Sequence, residues 1–138
     1  MIKVVGFNFK KINVEKTSDT MKDLKINTKI DISDIEEAKS ELLKGDDKIL
    51  KIKFSYIIEY NPKIANIALE GSIILTTDKD ESKKILDSWK DKKMSEAFRI
   101  SLFNMILRKS NVKALQLEEE MNLPLHIPFP SLKAAKKE

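Results

Sequence analysis

Hydrophobic and polar positions alternate through most of the first half of the chain. In "LKINTKIDI", Leu24, Ile26, Thr28, Ile30 and Ile32 stand at every second place, the period of a strand with one buried face. "ILKIKFSYIIEY" repeats the pattern with Leu50, Ile52, Phe54, Tyr56, Ile58 and Tyr60. "IANIALEGSIIL" repeats it with Ala65, Ile67, Leu69, Gly71, Ile73 and Leu75. Small residues at 65, 68 and 71–72 leave room for something bulky to lie close. The first element is less regular. Val5, Phe7 and Phe9 share one phase and Ile12 and Val14 the other, so the slip at Lys10-Lys11 predicts a bulge or bend in one long strand. "NPK" at 61–63 predicts the turn between the third and fourth strands.

After residue 32 the pattern is open to more than one reading. Ser33 or Asp34 can cap a short helical turn with Ile35, Ala38 and Leu42 on one side; a loop or a continued strand fits as well, before Gly45-Asp46-Asp47 punctuates the chain. Further on the period becomes helical. Asp78 and Glu81 stand at capping-box spacing before Ile85, Leu86 and Trp89. "MSEAFRISLFNMILRKSNVKALQLEEEM" then carries Phe98, Leu102, Met105 and Ile106 on one stripe, which Ile100, Phe103 and Leu107 extend around the helix. So broad an apolar surface exceeds what one sheet face buries. Ser110-Asn111 is expected to kink or interrupt this helix, and Pro124 to stop it.

The final patterned stretch, "NLPLHIPFPSLK", sets Leu123, Leu125, Ile127 and Phe129 beside Pro124, Pro128 and Pro130. Neither a helix nor a central strand accepts those prolines. An extended segment lying on something apolar remains, its trough filled either by the protein's own core or by a visitor.

Strands followed by helices, without βαβ alternation, predict an α+β fold: a four-stranded antiparallel sheet with a long C-terminal helix and shorter helices on one face. Residues 1–132 are expected to form one domain, and "KAAKKE" at 133–138 a disordered basic tail. Composition agrees with a well-solvated globular protein, with 41% hydrophobic and 35% charged residues. No apolar run approaches the roughly 20 residues of a membrane span, and the N-terminus alternates as a strand does, so no membrane insertion and a cytoplasmic location are expected. The net charge of +4 is dispersed rather than gathered into a stripe, so a dedicated nucleic-acid surface is not expected.

Candidate chemistry is sparse. The chain has no cysteine and a single histidine, His126, which excludes a disulfide framework, a thiolate zinc site and a nitrogen-rich metal centre. His126 is expected to be structural or exposed. Gly71-Ser72 lies inside a strand pattern without a nucleophile elbow, and no phosphate-binding glycine motif is present. Asp78, Asp80 and Glu81 read as a helix start. Glu118, Glu119 and Glu120 are consecutive, so they fan around a helix and do not converge on one metal. No enzyme, metal or cofactor is expected.

The order of these elements resembles the SecB family of export chaperones. "KVVGFNFKKINVE" is similar to the family's opening strand, "FSYIIEYNPKIANIALEGSIIL" to its long middle strands, and "ISLFNMILRKSNVKALQLEEEMNLPLHIPFPSLK" to its helix and proline-bearing apolar tail. The resemblance implies an ATP-independent holdase that binds unfolded or non-native polypeptides in an apolar groove and self-associates as a dimer or tetramer. It places Trp89, Phe103, Met105, Leu123, Leu125, Ile127 and Phe129 at that groove. Two departures weigh against coupling to the export ATPase: the tail lacks zinc ligands, and the chain is basic where bacterial members are acidic. An oligomeric binding module for one defined partner, or a small basic RNA- or ribosome-associated protein, are the alternatives.

Overall fold

The two strands with the cleanest alternation form the centre of the sheet. In the computed structural model, which describes residues 2–39, 45, 47–128, 130 and 132, β1 spans Lys3–Lys16, β2 Lys25–Ala38, β3 Lys48–Asn61 and β4 Ala65–Thr77. They pair antiparallel in the order β1-β4-β3-β2. Every even residue of β3 from Leu50 to Tyr60 and every odd residue of β4 from Ala65 to Thr77 is buried. The β3–β4 hairpin turns where the "NPK" signal stands, and the Ile64 N–H closes it on the Tyr60 carbonyl at 2.9 Å. Thr17 and Ser18 donate their N–H groups to the Ile64 carbonyl. The link from β1 to β2, which join opposite edges, therefore crosses the tip of this hairpin.

Both edge strands bulge. The β1–β4 register shifts between Val4 and Gly6 and again between Phe9 and Lys11. The second shift absorbs Lys10, so Phe9 sits opposite Gly71 and Ile12 opposite Leu69, both on the core side. The two phases of β1 thus share one face instead of pointing opposite ways. β2 repeats the device: the register shifts between Ile32 and Asp34, and Ile32 and Ile35 are both buried. The helical turn considered at 33–38 is continued strand; Leu42 and Asp46, and the tail 133–138, lie outside the described residues.

Gly71 answers the expectation of a close approach. A Cβ there would collide with the Asn8 carbonyl oxygen and stand 3.0 Å from the Phe54 ring. That ring fills the space the glycine leaves and packs 5.1 Å from Phe7 and 6.2 Å from Phe9, centroid to centroid.

α1, Lys79–Lys90, begins as its spacing predicts: Asp78 accepts the Glu81 N–H at 2.8 Å. That bond holds the Asp78 carboxyl below the usual carboxylate range. α2, Glu96–Glu120, is capped by Ser95 and lays Phe98, Leu102, Ile106, Ala114 and Leu117 into the sheet core. It runs without a break through Ser110-Asn111, contrary to the expected kink, because Ser110 is fully buried on the inward stripe and continues its spacing. The helix stops before Pro124 is reached. Asn122 takes a left-handed conformation, φ 54°, and the Leu123 N–H bonds back to the Glu118 carbonyl at 2.8 Å.

Candidate functional site

Beyond this stop the proline strip folds back along α2. Leu123 drops into the core with 5% of its surface exposed, Leu125 stays 38% exposed, and Ile127 is half-buried. Phe129 lies outside the described residues. His126 turns inward between residues two helical turns apart on α2, Asn111 and Glu118. Its Nδ1 lies 2.9 Å from Glu118 Oε1, its Nε2 2.9 Å from Asn111 Oδ1, and its backbone N–H donates to Glu118 Oε2 at 3.0 Å.

The sheet completes this network from below. Tyr60 donates its hydroxyl to Glu118 Oε2 and approaches the Pro124 carbonyl at 2.7 Å. Tyr56 donates to Asn111 Oδ1 at 2.6 Å and lies 3.0 Å from His126 Nε2. Burial, and then the nearby Glu118 carboxylate, push the Tyr56 phenol well above its ordinary value. The Tyr60 phenol is pushed up by burial and then by its bond to Glu118. Both hydroxyls therefore keep their protons and act as fixed donors. The glutamate run fans out as expected, with Glu118 wholly buried while Glu119 and Glu120 are exposed. His126 is structural: it ties the strip to helix and sheet. Among the described residues no group of acidic and histidine side chains is arranged to hold a metal ion.

Sequence reasoning missed the network as a unit, yet part of its signal was visible. Glu118 falls at helical spacing on the stripe of Ile106 and Ala114, and two tyrosines sit on the oily face of β3. Buried polar tips in such places call for partners.

The remaining expected groove residues divide between two sides of α2. Trp89 and Phe103 line one pocket of about 440 Å³ together with Ile32, Met94, Lys92 and Asp31, beside edge strand β2. Met105, two residues past Phe103 and so nearly opposite on the helix, lines another of about 460 Å³ with Val4, Val5 and Phe7 of β1. At the first pocket the Lys92 Nζ stands 4.5 Å from the Trp89 ring centre, and the Arg99 guanidinium 5.8 Å from that of Phe103. Trp89 is 9% exposed, and its Nε1 is a buried donor with no acceptor among the described residues.

The face of the sheet away from the helices carries both signs of charge, with Lys29 paired to Glu59 at 2.9 Å and Lys53 to Glu36 at 3.7 Å. Lys29 holds the Glu59 carboxyl below its ordinary range.

No family model and no curated protein matches the sequence. Among solved structures the chain is similar to a SecB-like chaperone of Mycobacterium tuberculosis in complex with a ChAD peptide from the HigA1 antitoxin. The TM-score is 0.52 at 11% identity, over 98% of this chain and 93% of that one. The fold is SecB-like. At that identity the likeness concerns the path of the chain and not its side chains. The SecB-like fold leaves α2 apolar on its outer side as well, with Ile100 46% and Val112 60% exposed. Among the described residues no helix is long and apolar enough to cross a membrane.

Proposed function

We propose that the protein is an ATP-independent holdase that keeps non-native polypeptides from aggregating by taking up their extended apolar segments. The observation that carries this reading is the SecB-like course of nearly the whole chain, shared with a chaperone solved with a peptide. The side chains add support. Phe103, Leu125 and Ile127 remain partly exposed around the Trp89 pocket and the strip, and surfaces of this kind suit clients of many sequences. Leu123 anchors the strip, and Met105 adds a second apolar surface toward β1. No nucleotide, metal or catalytic group takes part. The exposed outer stripe of α2 is the natural seam for self-association as a dimer or tetramer, in the cytoplasm.

Light scattering of a chemically denatured test protein diluted into buffer, without nucleotide, decides the matter. Near-complete suppression of aggregation at about one oligomer per client is the expected result. No suppression by demonstrably folded protein sinks the reading and favours a module for one defined partner.

A further inference from the structure

The pocket between β2 and the helices has features that general stickiness does not require. Its walls are apolar: Ile32, Trp89, Met94 and Phe103. Two cations stand at these rings: Lys92, which lines the pocket, rests over Trp89, and Arg99, just outside the lining, lies over Phe103; neither has a carboxylate partner among the described residues. Asp31, on β2, is the one carboxylate among the lining residues. A cation parked on a ring face at such a mouth keeps most of its charge available to an incoming anion. The Trp89 Nε1–H points away from the opening, buried and with no acceptor among the described residues, so the indole offers the pocket its carbon surface. β2, finally, is an edge of the sheet, so the pocket opens beside main-chain groups that an extended segment can pair with.

Resting on the holdase reading, we propose that the Trp89–Phe103 pocket selects extended client segments in which an aromatic or large aliphatic side chain is flanked by carboxylates. The apolar side chain enters between Trp89 and Phe103. The carboxylates meet Lys92 and Arg99. Acidic flanks set which segment is held, while burial of the anchor supplies most of the affinity.

Titration calorimetry at low salt, with two capped peptides sharing a central Phe-Leu-Phe, one flanked by aspartates and the other by lysines, tests this on the full chain. The aspartate peptide is expected to bind about tenfold tighter, a difference of about 1.4 kcal/mol, and to lose that lead as salt is raised. Lys92→Glu with Arg99→Glu is expected to reverse the order; should that variant not fold, Lys92→Gln with Arg99→Gln is expected to erase it. Equal binding of the two peptides to the wild-type chain, or a lead for the lysine peptide, overturns the charge selection. If neither peptide binds while an unfolded protein is still held, the selection fails and the holdase reading stands. If the unfolded protein is not held either, both fail.

Discussion

Glu118 and His126 face each other at 2.9 Å with side chains 0% and 2% exposed, although the end of a helix separates them in the chain. The contact is what turns a loose proline segment into part of the structure. Removing one member takes a buried hydrogen-bond partner from the other, while Tyr60 still reaches Glu118 and Asn111 still reaches His126. Glu118→Gln and His126→Ala are each expected to lower stability by about 1–3 kcal/mol. The double variant should lose about 1–3 kcal/mol less than the sum of the two. Urea unfolding of all four proteins measures this, and strict additivity would mean the pair is not coupled.

The same network sets an upper pH limit. The phenols of Tyr56 and Tyr60 are raised in the folded protein by burial and by Glu118, whereas in the unfolded chain they ionise near their ordinary value of about 10. The folded state then holds more protons than the unfolded one at alkaline pH, so stability falls as pH rises. The contribution is intact below about pH 10 and is lost progressively above it. Tyr60→Phe should flatten this decline while lowering stability at neutral pH by about 1–3 kcal/mol, because Glu118 and the Pro124 carbonyl lose a donor. Chemical unfolding at neutral pH and above pH 10 distinguishes the two effects.

The strip is expected to respond differently at neighbouring positions. Leu125, at 38% exposed, is open to a client, whereas Leu123, at 5%, belongs to the core. Leu125→Asp should cost about 0.5 kcal/mol or less in stability and weaken client holding about tenfold or more. Leu123→Asp should cost about 3 kcal/mol or more, because it buries an unpaired charge in place of packing. Thermal melts combined with the aggregation assay separate these outcomes. If Leu125→Asp holds clients as well as wild type, the client surface lies elsewhere.

The sheet was legible where strands are buried by simple alternation. β3 and β4 follow a period of two without interruption, and their faces were correct residue by residue. β1 and β2 broke the pattern because an edge strand can absorb an extra residue, and a bulge shifts the phase without moving the face. Lys10 gave a visible slip, but the side to which Ile12 returned depended on its pairing with Leu69. Ser33 gave no slip that a helix start would not also give. The continuity of α2 through Ser110 was hidden because a serine facing inward leaves the same trace as one that breaks a helix. The network around His126 was less legible still, because it joins residues of β3, α2 and the strip that only the finished fold brings together.

Gly71 offers a test of how tightly β1 is seated. Gly71→Ala places a methyl group against the Asn8 carbonyl and the Phe54 ring, which a paired strand cannot yield without shifting. A loss of about 3 kcal/mol, at the upper end of ordinary overpacking, is expected. Amide exchange in β1 should rise before that in β3.

The chain contains a single tryptophan, and it stands in the wall of the pocket beside β2, under the Lys92 ammonium. Its emission therefore comes from one known place in the molecule. A peptide or unfolded client that enters there displaces water or the lysine from the indole and shifts the spectrum, while one that docks on β1 or the outer face of α2 leaves the signal nearly as it was. Without any label, the protein reports by its own light which of its apolar surfaces is occupied.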